Sequence, residues 1–304
     1  MKISIVTPSF NSVRFIRQTI NSVITQCGEF SIEYIIVDNE SSDGTKEVIK
    51  EFQRLLRSSE FVSGCNTVEL IYISQHDSGM YDAINKGFEA ATGDIYAWLN
   101  SDDIYLPGAF ATIVNVFSKY TDIHWLKGIT SYITGDATTI WRAGRCLLYA
   151  QSWIRDGVYG RDHYFIQQDS VFWRAHMWDR AGGIDATLKL AGDYYLWAKF
   201  AEYSPLVSVN ALISCFRTVD GQLSQDLRAY TLEMKSLLPG NNTLSTRTRL
   251  FLQSERWVPR FISKYIYRLL YSHETFHLIM INAKGEIKNI TGQYFDVLRY
   301  ISRN

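Results

Sequence analysis

Residues 95–103 read IYAWLNSDD, an apolar run that ends in two acids. Carboxylates supply the hard oxygen ligands that suit Mg²⁺ or Mn²⁺, and these ions usually bind through one or two carboxylates together with substrate phosphates. The stretch therefore predicts a buried strand followed by a metal-binding loop in a nucleotide-handling enzyme. An acidic pair followed by Pro107 and Gly108 is also ordinary turn chemistry, so a purely structural turn stays open as the alternative.

Apolar runs that end in loops alternate with helical patterns before this strand. The runs lie at 3–6, 34–37 and 68–73, and helical spacing or capping signals follow at about 13–24, 45–55 and 80–91. Strands that alternate with helices favour a parallel α/β sheet with both faces covered. Ligands of such sheets bind at the carboxyl ends of the strands, which is where Asp38, Asp77, Asp102 and Asp103 occur.

Other nucleotide-binding classes and other partners lack support in the sequence. No Gly-x-Gly-x-x-Gly or Gly-Lys-Ser/Thr motif stands at a strand–helix junction, which disfavours a dinucleotide dehydrogenase or a P-loop enzyme. The 304 residues are 46% hydrophobic and 20% charged with a net charge of zero, which gives no indication of a nucleic-acid partner. The 4 cysteines have no close-paired spacing, so neither a zinc site nor a disulfide scaffold is predicted.

Four motifs in the first third of the chain resemble the successive motifs of family 2 glycosyltransferases: TPSFN (7–11), IVDNESSDGT (36–45), DSGMYDAINKG (77–87) and LNSDD (99–103). The likeness continues through QQDSVFWR (167–174), AGGID (181–185) and GDYYLW (192–197) to about Ser224. The resemblance implies the α/β GT-A fold with a mostly parallel central sheet. We expect a catalytic domain at 1–225, with a nucleotide-sugar-binding half at 1–110 and an acceptor-binding half at 111–225, and a helical C-terminal extension at 226–304.

The resemblance also assigns the donor-binding residues. Pro8 and Ser9 are expected to lie along the nucleoside, Asp38 to accept hydrogen bonds from uracil or ribose, and Asp77 to contact the base. A carboxylate suits these roles because it accepts strong hydrogen bonds from base N–H groups and ribose hydroxyls. The alternative for Asp38 is an Asx turn that opens the loop.

The metal ligand implied by the resemblance is Asp102, with Asp103 beside it binding ribose, metal or water. Mn²⁺ or Mg²⁺ is the expected cofactor. Asn100 stands where the family often has an acid, so metal affinity would rest largely on Asp102 and the donor diphosphate.

Asp193 is the catalytic base that the resemblance implies, at the expected start of a helix. It would deprotonate the acceptor hydroxyl as that hydroxyl attacks the sugar. One base and one metal suit a single displacement that inverts the anomeric configuration. Gly192 replaces the usual Glu beside the base, and the alternative role for Asp193 is a helix N-cap.

Acceptor contacts are expected from Gln168, Asp169 and Trp173, because the family carries a similar polar pair before an aromatic–Arg step. Most aromatic residues of such a domain are nevertheless core residues. Arg217 is a candidate phosphate ligand, with an ordinary surface Arg as the alternative.

Residues 247–271 interleave basic and apolar side chains at helical spacing, a pattern typical of a basic helix at a membrane interface. A C-terminal helix packed on the catalytic domain is the alternative. The chain begins directly with a strand and contains no apolar run of ~20 residues, so we expect a cytoplasmic protein, attached peripherally to the inner face of the membrane through 247–271.

Together these patterns predict an inverting, metal-assisted glycosyltransferase that moves a sugar from a nucleotide-diphosphate donor, a UDP-sugar, to a hydroxyl of a glycan or lipid-linked glycan. Two alternatives remain, a nucleotidyltransferase and a non-catalytic nucleotide-sugar-binding protein. A nucleotidyltransferase should carry a Gly-rich basic loop after its first strand, which 7–11 is not. The non-catalytic alternative is favoured if Asn100 and Gly192 reflect the loss of catalytic acids from the site.

Overall fold

A computed structural model describes residues 1–135, 140–160, 164–219, 221–222, 225–237, 257–259, 262–263, 265–266 and 274–301. The strands are β1 (Lys2–Ser9), β2 (Gly28–Asp38), β3 (Cys65–Ser74), β4 (Ile95–Trp98), β5 (Ile104–Tyr105), β6 (Trp125–Thr134), β7 (Ile140–Arg142), β8 (Val171–Arg174), β9 (Val207–Thr218), β10 (Phe276–Ile281) and β11 (Ile287–Gly292). The helices are α1 (Ile16–Ile24), α2 (Thr45–Arg57), α3 (Met80–Ala90), α4 (Ala109–Lys119), α5 (Gln151–Arg155), α6 (Ala175–Ala181), α7 (Gly192–Tyr203), α8 (Leu227–Leu237) and α9 (Tyr294–Ile301).

These strands form one sheet in the order β11-β10-β9-β6-β8-β4-β1-β2-β3, with β5 paired to β9 and β7 to β6. β3, β2, β1 and β4 are parallel neighbours, as the alternation of strands and helices predicts. Beyond β4 the sheet is mixed, because β8 runs antiparallel to both β4 and β6, whereas β6 and β9 are parallel. The α/β architecture with a mostly parallel central sheet, expected from the sequence, is confirmed.

The first strands carry side chains that suit burial on both faces of the sheet. Every residue of β4 is buried, and so is β1 except for Lys2. Ile16, Ile20 and Val23 recur at helical spacing on α1 and are fully buried. Because β1, β2, β3 and β4 run the same way, the loops after them emerge at one edge of the sheet.

A cluster of tryptophans joins this edge to the second half of the molecule. Trp98 at the end of β4 stacks on Trp197 of α7, with ring centroids 5.5 Å apart and ring planes 5° apart. Trp173 of β8 packs edge-on against both rings, at 5.8 Å from each. The stack links the strand that precedes Asp102 to the helix whose first turn carries Asp193.

The C-terminal extension differs from the helical one that we expected. β10 pairs with β9 in parallel and β11 pairs with β10 antiparallel, so the extension adds two strands to the edge of the sheet besides α8 and α9. Periodicity did not reveal these strands because 276–281 is a short apolar run that could equally be a buried helix segment, and 287–292 has mixed polarity. Most of 247–271 lies outside the described residues. In the described part of the chain, no helix is both long and apolar enough to cross a bilayer.

Candidate active site

A cleft of about 810 Å³ lies at the carboxyl ends of the parallel strands. Its size is within the usual range for small-molecule sites. The residues predicted from the sequence that line it are Pro8, Ser9, Asp77, Asp102, Gln168 and Asp193. The fold therefore brings residues expected on the donor side and on the acceptor side into one cavity.

Hydrogen bonds between the loops hold the donor side of the cleft together. Ser12 Oγ after β1 lies 2.7 Å from Ser101 Oγ after β4. Asn39 Oδ1 after β2 accepts a hydrogen bond of 3.0 Å from the N–H of Asp77 after β3. Four consecutive parallel strands thus contribute loops to one connected wall.

Asp77 and Ser9 have free hydrogen-bonding capacity on this wall. Asp77 Oδ1 accepts a hydrogen bond of 3.0 Å from the N–H of Gly79, which begins the turn into α3, and burial raises the pKa of the Asp77 carboxyl. Ser9 Oγ is buried without a hydrogen-bond partner among the described residues. A buried hydroxyl of this kind normally finds a partner, so the wall is suited to a polar ligand.

The carboxylate of Asp38 does not reach the cleft. It is fully buried, and it accepts hydrogen bonds from both the N–H and the Oγ of Ser41, at 2.9 and 2.5 Å, and from Tyr72 OH at 3.3 Å. The Asp38 carboxylate thus closes a turn after β2, as the alternative role requires, and its expected contact with uracil or ribose stays a prediction. Asn39, the next residue, lines the cleft instead.

Asp102 lines the cleft next to Asn100. Gln222 Nε2 donates a hydrogen bond of 2.8 Å to Asp102 Oδ2, and burial raises the pKa of the Asp102 carboxyl. Asn100 Oδ1 is buried and has no partner within the described part of the chain. Asp102 and Asn100 thus offer two neighbouring side-chain oxygen ligands, and the Asn100 oxygen has no hydrogen-bond partner among the described residues. Oxygen ligands of this kind fit a hard divalent cation.

Asp103 and Arg217 are fully buried beneath this site. Asp103 Oδ1 accepts a hydrogen bond of 2.8 Å from the N–H of Arg217, and burial beside Asp102 and Asp169 raises the pKa of Asp103 well above its usual range. Arg217 Nε donates to the carbonyl oxygen of Asp102 at 2.6 Å, and Nη2 donates to Gln18 Oε1 at 2.6 Å. Both side chains are enclosed by protein and neither lines the cleft, so the expected contacts of Asp103 with ribose, metal or water and of Arg217 with phosphate stay predictions.

Asp193 lies in the first turn of α7, on the cleft wall. Its Oδ1 accepts hydrogen bonds from the N–H of Tyr194 at 2.7 Å and from Tyr230 OH at 3.0 Å. Burial outweighs these hydrogen bonds and raises the pKa of Asp193 to about 6. The N-cap position of α7 belongs to Ala191, so the alternative role for Asp193 is not observed.

Of the three residues expected to contact the acceptor, one lines the cleft and two are buried in the core. Gln168 lines the cleft, and neither polar atom of its amide has a partner among the residues described. Asp169 is buried and its Oδ2 accepts a hydrogen bond from Ser214 Oγ, while Trp173 is fully buried in the tryptophan cluster. The side chains of Asp169 and Trp173 thus belong to the core, and their expected acceptor contacts stay predictions.

Sequence reasoning missed two residues of α8 that meet the loop before Asp193. They are Tyr230, which binds Asp193, and Glu233, which accepts the N–H groups of the preceding loop. Their separation of three residues predicts that they share one face of a helix. Nothing in the sequence indicates which surface that face meets.

Comparison with known proteins identifies the motifs. The model of "Glycosyl transferase family 2" matches residues 4–175. An uncharacterized glycosyltransferase of Nostoc sp. is 33% identical over 140 residues, which are 46% of this chain and 40% of that one. A putative teichuronic acid biosynthesis glycosyltransferase of Bacillus subtilis is 33% identical over 101 residues, 33% of this chain and 36% of that one. The matched region thus spans less than half of either relative.

Solved structures share the fold at low sequence identity. TarS of S. aureus (residues 1–349), in complex with UDP-GlcNAc, has a TM-score of 0.55 at 14% identity, over 84% of this chain and 71% of that one. The mannosyltransferase PcManGT of Pyrobaculum calidifontis, in complex with GDP-Man and Mn²⁺, has a TM-score of 0.51 at 12% identity, over 89% and 81% of the two chains. At these identities the likeness concerns the fold.

Proposed function

The chain belongs to glycosyltransferase family 2, and we propose that it is an inverting enzyme that transfers a sugar from a nucleotide-diphosphate donor to a hydroxyl of a glycan or lipid-linked glycan. The observation that carries the proposal is the cleft in which Asp102 and Asp193 face the same cavity. Transfer needs stabilisation of the leaving diphosphate and removal of a proton from the acceptor, and these two acids suit the two tasks.

The donor is a UDP-sugar that binds at the ends of β1, β2 and β3. Pro8, Ser9, Asn39 and Asp77 line that part of the cleft, and the unpartnered Ser9 hydroxyl is available to a nucleoside. Support also comes from TarS, whose structure holds UDP-GlcNAc, although the guanosine donor bound by PcManGT shows that the fold accepts other bases.

Asp102, together with Asn100 Oδ1, would hold Mn²⁺ or Mg²⁺ at the diphosphate. Such an ion supplies positive charge that stabilises the leaving diphosphate. In the described residues no group of three His, Cys, Asp or Glu side chains is placed to hold a metal, so the remaining ligands would come from the donor diphosphate and water. Gln222 contributes by fixing the Asp102 carboxylate through its Oδ2.

Asp193 is the general base. With a pKa of about 6, its carboxyl is largely ionised at pH 7 but binds a proton more strongly than an ordinary Asp. A general base is most effective when its pKa lies near the pH at which the enzyme works, so this pKa suits the role. Gln168 would bind a sugar hydroxyl of the acceptor; its support is an amide that lines the same cavity and has no partner among the described side chains and backbone groups.

The decisive experiment is a panel of nucleotide sugars screened for metal-dependent hydrolysis, followed by the Asp193→Asn variant on the best donor. The amide keeps the shape of the side chain but cannot take a proton, so turnover should fall by at least ~10²-fold while donor affinity is kept. Asp185→Asn, at an exposed Asp in the loop before α7, is the matched control and should retain turnover.

Full turnover of Asp193→Asn would contradict the base assignment. Donor binding by the wild-type protein without any hydrolysis or transfer would instead support the non-catalytic nucleotide-sugar-binding alternative.

A further inference from the structure

Helix α8 packs against the start of α7, where Asp193 lies. Met234 of α8 is fully buried against Ala191 and Tyr194, and Tyr230 and Leu237 pack on the same cluster. The ring of Tyr230 also contacts Phe165 edge-on, with centroids 5.3 Å apart. These apolar contacts position the Tyr230 ring independently of the hydrogen bond that its hydroxyl makes.

The hydroxyl of Tyr230 selects one oxygen of the Asp193 carboxylate. Two donors from other residues, Tyr230 OH and the N–H of Tyr194, bind Oδ1, at 3.0 and 2.7 Å. No other described residue donates a hydrogen bond to Oδ2. Since a carboxylate oxygen that already accepts two hydrogen bonds has little capacity left, Oδ2 is the atom available to take a proton from a substrate.

Glu233, one turn beyond Tyr230, holds the backbone that leads into α7. Its Oε1 accepts a hydrogen bond from the N–H of Lys189 at 2.8 Å, and its Oε2 accepts from the N–H groups of Leu190 and Ala191, each at 2.6 Å. A carboxylate that binds three successive N–H groups is a strong, charge-assisted anchor.

Gly192 lies between this anchor and Asp193, and it has no room for a side chain. A Cβ on Gly192 would stand 2.6 Å from the ring of Tyr81, which is itself buried and donates a hydrogen bond of 2.7 Å to the carbonyl oxygen of Leu190. Position 192 therefore cannot carry the Glu that the family usually has beside the base. The carboxylate that acts on Asp193 from nearby is instead Glu233 of α8.

We propose that Tyr230 and Glu233 are positioning residues for the general base: Tyr230 fixes the Asp193 carboxylate through Oδ1 so that Oδ2 accepts the proton, and Glu233 fixes the loop at 189–191. The proposal rests on the assignment of Asp193 as the base. It gives α8, which lies outside the region matched by the family model, a direct part in the site.

The two residues act on the proton affinity of Asp193 in opposite directions. The hydrogen bond from Tyr230 lowers the pKa of Asp193, whereas the negative charge of Glu233 raises it. Among the described residues, Tyr81 from α3, whose own pKa the charge of Asp193 raises, and Tyr194 within α7 also face this carboxylate. α5 presents a carbonyl oxygen, that of Arg155, to the Tyr194 hydroxyl.

The test measures the acid limb of the pH–rate profile and, independently, the titration of the Asp193 carboxyl by ¹³C NMR, assigned with Asp193→Asn. Because the base works when ionised, turnover falls as the pH drops through its pKa, about 6 in the wild type. Tyr230→Phe should move this midpoint upward by about one pH unit and lower kcat by about tenfold, with the donor KM within about twofold. Glu233→Gln keeps an oxygen for the loop and should move the midpoint downward.

Tyr203→Phe and Glu202→Gln, both exposed on α7, are the matched controls and should leave the midpoint unchanged. If both α8 variants reduce thermal stability but neither moves the midpoint in either measurement, the contacts are structural and the proposal is overturned. If the wild type turns over no donor, the proposed function fails, while the NMR titration still decides whether Tyr230 and Glu233 act on Asp193.

Discussion

Replacing Arg217 by Met should destabilise the fold rather than weaken donor binding. The Arg217 side chain is fully buried, and its guanidinium donates to the carbonyl oxygens of Asp102 and Gly135 and to Gln18 Oε1. Met fills similar volume but leaves these three acceptors unpaired at ~1–3 kcal/mol each, partly offset by relaxation, and it removes a positive charge next to Asp102 and Asp103. We therefore expect the free energy of unfolding to fall by about 3–5 kcal/mol.

Urea unfolding monitored by tryptophan fluorescence measures this loss. Arg217→Lys, which keeps the charge but can pair with fewer acceptors, should lose about half as much. Arg57→Met, at an exposed position of α2, is the control and should stay within about 0.5 kcal/mol of the wild type. A loss below about 1 kcal/mol for Arg217→Met, combined with a large fall in donor affinity, would refute the reasoning and return Arg217 to the role of phosphate ligand.

Three further predictions concern the metal, Gly192 and the C-terminal tail. Calorimetry should show tighter binding of a UDP-sugar with Mn²⁺ or Mg²⁺ than without, because Asp102 needs the diphosphate to complete the site; equal affinities, or normal turnover by Asp102→Ala, would remove the metal role. Gly192→Ala should lower the free energy of unfolding by about 1–3 kcal/mol in urea, since its Cβ would meet the Tyr81 ring at 2.6 Å, and unchanged stability would contradict that clash. The basic side chains of 247–271 should give salt-sensitive sedimentation with anionic vesicles that Arg→Gln substitutions abolish; a protein that stays in the supernatant at low salt has no such membrane surface.

The nucleotide-binding half was predictable because its signals are local. The apolar run at 34–37 lies within β2, and the helix predicted at 80–91 is α3, Met80–Ala90. Parallel strands then place the loops after them at one edge without further information, which is why Asp77 and Asp102 could be brought together from the sequence.

Which carboxylates face solvent could not be predicted in the same way. Asp102 and Asp103 are adjacent, yet Asp102 lines the cleft whereas Asp103 is enclosed by β9, whose Arg217 N–H binds it. That difference depends on a strand more than 100 residues away in the sequence. For the same reason Trp173, one of several aromatic residues that could have met a sugar, is a core residue.

The pairing of β10 with β9 has a consequence for how the polypeptide can be shortened. His277, Leu278 and Ile279 lie in register with Val207, Ser208 and Val209, so a chain that ends before Phe276 would leave the backbone N–H and C=O groups of this part of β9 unpaired. It would also expose apolar surface that Phe276, Leu278 and Ile279 now cover. Bare edge strands with apolar faces recruit other chains, so trimming the protein back to its recognisable family region would yield aggregates rather than a minimal enzyme.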